Sequence, residues 1–256
     1  MSDGTLARWP YPRWIAHRGA GKVAPENTLA AFRCGAAHGY RMFECDVKLS
    51  ADGVPFLMHD ATLERTTDGH GVGGDLDWRA LSRLDAGGWH SRTFAGEPLP
   101  SFENIARFCL RNGHFLNIEI KPTPDTRRAP GIERRTGEVV AREAERLWAG
   151  EPVPPLLSSF RPESLAGARD AAPQLPRALL LDTLRHGWLD EALQLGCVAV
   201  VSNHALWDAG TVARVKDAGL RTLGYTVNDE WAAQRLIALG TDGIITDRID
   251  LFGPAG

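Results

Sequence analysis

Eight short apolar runs, separated by stretches of helical periodicity, set the tightest limit on how this chain can fold. The runs lie at Ile15–His17, Met42–Val47, Phe115–Ile120, Leu156–Ser159, Arg177–Leu181, Val198–Ser202, Thr222–Thr226 and Gly243–Ile245. Between them the apolar spacing predicts helices at Thr28–His38, Phe102–Asn112, Glu133–Trp148, Glu163–Ala171, Leu189–Leu195, Asp208–Asp217 and Glu230–Leu239. Several of these helices stop at a glycine suited to the left-handed closing position: Gly113, Gly196, Gly219 and Gly240. Strands joined by helical crossovers run parallel. For a chain of 256 residues the closed solution is an α/β fold, the (β/α)8 TIM barrel, as one domain over 1–256. An open doubly wound sheet is the competing arrangement, and spacing alone does not exclude it.

One segment breaks the rhythm. About forty residues separate Asp60 from Pro100, including the glycine-rich "TTDGHGVGGDLDW". That is far longer than the ~2–6 residues of an ordinary strand-to-helix connection. Trp78, Leu81, Leu84 and Trp89 supply apolar material, so residues 61–100 are expected to form a compact insertion after strand two.

Composition narrows the function classes. A hydrophobic share of 43% with 24% charged residues is that of a soluble globular protein. The net charge of −3 is spread evenly, which leaves no electrostatic footprint for nucleic acid. No apolar stretch approaches the ~20 residues that span a bilayer, and "MSDGTLARWPYPR" lacks a signal-peptide core. Cys34, Cys45, Cys109 and Cys197 form no CxxC pair and read as reduced thiols of a cytoplasmic protein.

In such a barrel the chemistry sits at the C-terminal ends of the strands. Strand one ends in His17 and Arg18, strand two carries Glu44 and Asp46, and strand three carries Glu119 and Lys121. The extended run "GVPFLMHD" delivers His59 and Asp60, and is expected to return alongside strand two. Strand side chains alternate faces, so Glu44 shares a face with Asp46, and Glu119 with Lys121. Three carboxylates converging on one volume repel one another unless a cation sits among them. With Cys45 on the opposite face of its strand, the three acids describe a hard, all-oxygen site that suits Mg²⁺ or Ca²⁺, with Mn²⁺ also compatible. Arg18 offers a bidentate fork and Lys121 a point charge, both suited to phosphoryl oxygens. His17 and His59 exchange protons near neutral pH.

The segments "HRGAGKVAPENTLAAF", "ECDVKLSADGVPFLMHD", "LERTTDG" and "IEIKP", followed by "LLSSF", "YTVND" and "DGIITD", together resemble the glycerophosphodiester phosphodiesterase family. The resemblance runs in order from Ile15 to Asp247. It implies a barrel of the phosphatidylinositol-phosphodiesterase type, one divalent metal on Glu44, Asp46 and Glu119, and His17 and His59 as the acid–base pair. Cytoplasmic bacterial members cleave glycerophosphocholine and glycerophosphoethanolamine to an alcohol and sn-glycerol 3-phosphate, so a small-molecule substrate is implied. A monomer and a homodimer are both compatible with it.

On this reading His17 is the first base and His59 the first acid, through a cyclic phosphate; direct attack by water fits the same residues. Phe160, Tyr225 and Trp207 are candidates for the alcohol pocket. The chain departs from the family pattern at Tyr225, where Trp is common, and at Arg248-Ile249, where a proline often follows the aspartate. Asp60 is expected to orient a neighbour, Asn27 to cap the first helix or brace the mouth, and Glu26 to favour the first helical turn. His38, His70, His90, His114, His186 and His204 read as surface or capping residues. A related phosphodiesterase or lyase acting on lysophospholipids is the alternative enzyme, and a non-catalytic binding module the alternative class.

Overall fold

The computed structural model describes residues 9–122 and 131–254. Its strands are β1 (Trp14–Ala16), β2 (Met42–Leu49), β3 (Pro55–Leu57), β4 (Phe115–Ile120), β5 (Leu156–Ser159), β6 (Arg177–Leu181), β7 (Ala199–Asn203), β8 (Arg221–Tyr225) and β9 (Gly243–Thr246). The helices are α1 (Leu29–Ala37), α2 (Trp78–Leu81), α3 (Phe102–Arg111), α4 (Ile132–Leu147), α5 (Pro162–Ala171), α6 (Trp188–Gln194), α7 (Ala209–Asp217) and α8 (Glu230–Leu239). Every strand except β3 is parallel to its neighbours, and β1 pairs with both β2 and β9. That double pairing closes the sheet. The open doubly wound alternative is therefore excluded, and the fold is the expected eight-stranded barrel.

Local chemistry sets the helix starts. Thr28, Ser101, Asp208 and Asp229 each accept a backbone N–H from three residues on, capping α1, α3, α7 and α8. At the other end Gly240 closes α8 in the left-handed conformation, as its position predicts.

Two apolar layers hold the barrel. Inside lie Ile15, Met42, Leu156, Ala178, Ala199, Val201, Leu223 and Ile245, plugged from the N-terminal end by Tyr11, whose hydroxyl donates to the Pro154 carbonyl. Outside, the opposite strand faces pack against the helices. Filling the lower barrel with branched and aromatic side chains leaves only the C-terminal mouth free for polar groups.

β3 runs antiparallel to β2, pairing Lys48 with Phe56, so the chain does return along strand two. The segment that follows builds its own small core from Phe56, Met58, Leu63, Leu81, Ala86 and Leu99, with Leu76, Trp78 and Leu84 packed against it. Trp89 differs from expectation: it is 40% exposed, outside the small core, with its indole N–H on the Ala86 carbonyl and its ring edge-on to His90.

Candidate active site

The chain stops being a strand one residue earlier than the apolar run suggests. β1 ends at Ala16, and His17, Arg18 and Gly19 form a tight 3-10 turn in which Arg18 adopts φ 52°. This turn lifts His17 and Arg18 over the mouth. Gly21 (φ 57°) lets the following loop touch the end of β9: a Cβ there would lie 2.2 Å from the Asp247 backbone. The approach brings Asp247 against His17, with Nδ1 to Oδ1 at 2.6 Å. An ionised carboxylate only accepts, so Nδ1 carries the proton and Nε2 faces the mouth, 3.8 Å from Glu44 Oε2. His59 is held in the same way: its Nδ1 meets Asp60 Oδ1 at 2.7 Å, and Asp60 is gripped by Arg65.

β2 and β4 are in register, Glu44 beside Asn117 and Asp46 beside Glu119. The alternation therefore points all three acids inward, and oxygens of Glu44, Asp46 and Glu119 gather within 4.8 Å of one another. Glu44 is pushed up to about 8, first by burial and then by the charges of Asp46 and Glu119. Burial and Asp46 raise Glu119 as well. Asp46 goes the other way: burial would raise it, but Lys121, Arg18 and His59, with a hydrogen bond from Asn27, hold it well below the usual carboxylate range.

The cations are seated among these acids. Lys121 Nζ lies 3.1 Å from Glu119 and 3.3 Å from Asp46, which outweighs its burial and keeps it protonated. Arg18 reaches Glu26 at 2.8 Å and Asp46 at 3.3 Å, and its backbone N–H donates to Glu44. Burial pulls His17 down, but the Asp247 hydrogen bond and the Glu44 charge raise it overall. His59 is lowered, by burial first, with Arg18 and Lys121 adding to it against Asp46 and Asp60.

The donor set fits a divalent cation. It consists of carboxylate oxygens alone, and two of them, Glu44 Oε1 and Asp46 Oδ1, are buried without a hydrogen-bond donor. A bare acidic cluster of this kind is costly without positive charge at its centre.

Two lobes open around this cluster. The inner lobe, about 140 Å3, is walled by His17, Arg18, Glu44, Glu119, Phe160 and Tyr225, over a floor that includes Asn117 and Ser158. The outer lobe, about 490 Å3, is lined by Lys48, Lys121 and Arg161; His59 borders both lobes, whereas His17 lines only the inner one. Phe160 stands between them, edge-on to Tyr225 with ring centres 5.8 Å apart.

The structure thus brings together His17, Arg18, Glu44, Asp46, His59, Glu119, Lys121, Phe160 and Tyr225. Trp207 is a correction. It is fully buried in the layer between strands and helices, its indole N–H donating to the Leu223 carbonyl, and it reaches neither lobe. Glu26 also differs: α1 starts only at Leu29, and Glu26 bridges Arg18 and Arg65 instead of sitting in its first turn. Asn27 does not cap α1 but braces Asp46, donating to its carboxylate and accepting its backbone N–H.

Asp247, Asn228, Arg65, Asn117 and Ser158 escaped the sequence reading. Asp247 ends β9, where the strand-end rule applied to the last strand would have found it. Asn228 then braces Asp247, exchanging two hydrogen bonds with it. Arg65 lies inside the insertion, and no spacing rule places it at the mouth.

Three clustered carboxylates that could hold a metal ion, two carboxylate-anchored imidazoles and two cations at the mouth of a closed barrel are the groups a phosphoesterase uses. The chain belongs to the glycerophosphoryl diester phosphodiesterase family, whose model matches residues 17–251. It is a hydrolase of that type. A glycerophosphodiester phosphodiesterase of Caldanaerobacter subterraneus is 33% identical over 236 residues, covering 91% of this chain and 93% of that protein. An Oleispira antarctica phosphodiesterase, solved with the product sn-glycerol-3-phosphate, superposes with a TM-score of 0.84 at 31% identity over 93% of each chain. A glycerophosphodiester phosphodiesterase of Agrobacterium tumefaciens superposes at 0.76 and 30% identity, over 94% of this chain and 99% of that one.

Proposed function

We propose that this chain hydrolyses glycerophosphodiesters, glycerophosphocholine and glycerophosphoethanolamine among them, to the free alcohol and sn-glycerol 3-phosphate in a divalent-cation-dependent reaction. The observation that carries the reading is the meeting of Glu44, Asp46 and Glu119 within 4.8 Å between His17 and His59. Those three carboxylates would hold Mg²⁺, Ca²⁺ or Mn²⁺, which when bound supplies Lewis-acid polarisation of a phosphate oxygen. Arg18 and Lys121 bind the remaining phosphoryl oxygens and carry the charge that grows on them. His17, beside Glu44 in the inner lobe, takes the proton of the glycerol 2-hydroxyl through Nε2 as that oxygen bonds to phosphorus. His59, which lines both lobes, gives a proton to the leaving alcohol as its bond to phosphorus breaks; water then opens the cyclic phosphate to sn-glycerol 3-phosphate with the two rings exchanging roles. The assignment rests on position, since His17 lines only the inner lobe while His59 reaches both. Asp247 and Asp60 hold each ring in the tautomer this exchange requires.

A lysophospholipid needs an apolar channel for its acyl chain. The inner lobe, only about 140 Å3 and closed below by Asn117, Ser158, Leu180 and Ile245, has no such channel, which favours the deacylated substrate. The cleft is complete within one chain, so a monomer suffices. Four free cysteines and no helix among the described residues long and apolar enough to cross a membrane support a cytoplasmic setting.

The test is an assay coupled to glycerol 3-phosphate release, run with EDTA and then with Mg²⁺, Mn²⁺ or Ca²⁺ restored. Activity should vanish with chelator and return with metal. Turnover indifferent to chelation would remove the cation from the reaction.

A further inference from the structure

A buried ammonium with no carboxylate partner needs an explanation. Lys48 follows Asp46 by two residues on β2, so it shares the inward face, and it is only 2% exposed. Among the described residues the one polar contact of its Nζ is the Lys121 carbonyl, at 3.5 Å. The side chain lines the outer lobe. Across that lobe stands Arg161, exposed and, among the described residues, without an ion pair.

The acids bordering the lobe are already committed. Asp60 is held by Arg65 and His59, and Glu119 by Lys121. The remaining charge that the described residues bring to the lobe is therefore positive, and among them no side chain fills the counter-ion position on its open side. A charge taken out of water without a partner is retained at a cost that an anionic ligand removes.

We propose that the outer lobe is the head-group site and that Lys48 and Arg161 select leaving alcohols that carry an oxyanion, a phosphate or a carboxylate. This rests on the reading above that His59 serves the leaving alcohol, because the lobe lies on the His59 side. Phe160 then flanks the head group, while Tyr225, expected beside the alcohol, faces the glycerol arm in the inner lobe. Choline and ethanolamine head groups carry the wrong sign for this wall and are the slower substrates; uncharged glycerol falls between. Discrimination of this kind works by repulsion as much as by attraction.

The experiment compares kcat/KM, with metal present, for four diesters of sn-glycerol 3-phosphate: inositol 4-phosphate and lactate as anionic alcohols, glycerol as the neutral one, and choline as the cationic one. The anionic substrates should exceed choline by about ten-fold, the scale of one charge contact at a partly solvated site. The two anionic arms separate phosphate from carboxylate, and a ten-fold advantage of either over choline supports the proposal. Lys48→Met and Arg161→Gln should each cut the anionic-to-choline ratio by about three-fold or more. Arg161 is exposed, so its substitution keeps the test sound where Lys48→Met fails to fold. Equal kcat/KM for lactate, inositol phosphate and choline overturns the proposal, as does a fall in either variant that is the same for all four. Absence of turnover with every one of the four overturns the phosphodiesterase reading itself.

Discussion

Asn27 is the most informative single residue to change, because its energetic role can be added up from its contacts. It sits in the left-handed region at φ 59°, where asparagine is tolerated better than other side chains. Its backbone N–H donates to Arg18 O at 2.9 Å, its Nδ2 donates to Asp46 Oδ2 at 2.8 Å, and its Oδ1 accepts the Asp46 backbone N–H at 3.1 Å. Both partners are buried. Asn27→Ala deletes a bond to an ionised carboxylate, worth about 1.5–3 kcal/mol, and a neutral bond worth about 0.5–1.5 kcal/mol. Alanine adds roughly 1 kcal/mol of backbone strain at positive φ. The expected loss is about 3–5.5 kcal/mol, read as a drop in the urea midpoint of the metal-free protein with unchanged slope. Freed from its brace, Asp46 should also bind a divalent cation about 10–100-fold more weakly. Calorimetric titration with Mn²⁺ measures this. A stability change below about 1 kcal/mol together with unaltered metal affinity would refute the view that Asn27 presets the acid cluster.

The other predictions concern the same mouth. With saturating metal, His17→Ala and His59→Ala should each lower kcat at least about 100-fold; near-normal turnover in either variant removes that histidine from the reaction. Asp247→Asn loses a charge-assisted bond to His17 and should lower kcat about 10–100-fold while leaving the fold intact by circular dichroism. For Glu44, the folded carboxyl titrates at about 8 against an ordinary 4.5, so the metal-free folded state binds the extra proton. That contribution to stability is present at low pH and is lost as pH rises from 4.5 towards about 8. A cation competes with the same proton, so metal affinity should tighten by up to about ten-fold per pH unit over this window. Equal dissociation constants at both ends of that pH range would contradict the assignment. Trp207→Phe should cost about 2–4 kcal/mol through lost packing and the Leu223 hydrogen bond, with relative rates on different head groups unchanged; an altered head-group preference would return Trp207 to the substrate pocket.

Much of the site was legible from residue order because a parallel barrel makes position along a strand equivalent to position in space. Glu44, Asp46 and Glu119 are two residues apart on β2, or at the matching register on β4, so period-two alternation alone points them to one place. Other contacts had no such rule behind them. Asp247 is 230 residues from His17, and only barrel closure through β9 makes them neighbours. Arg65 reaches Glu26 and Asp60 because the insertion folds over its own small core and back across the mouth. Trp207 shows the opposite failure. An aromatic beside a strand end carries no periodic signal, and its three-residue 3-10 turn (His204–Leu206) directs the ring under the helices, away from the cleft.

Taken by itself, the order of residues determined the alternation of strands and helices, the capped helix starts, and the inventory of acids, imidazoles and cations at strand ends. These depend on interactions a few residues long, which local patterns encode directly. Only the tertiary structure decided which carboxylate anchors which histidine, that Lys48 has no carboxylate partner among the described residues beside the outer lobe, and that one aromatic belongs to the core. Those outcomes arise where chain ends meet across a closed sheet, and no local energy term contains them.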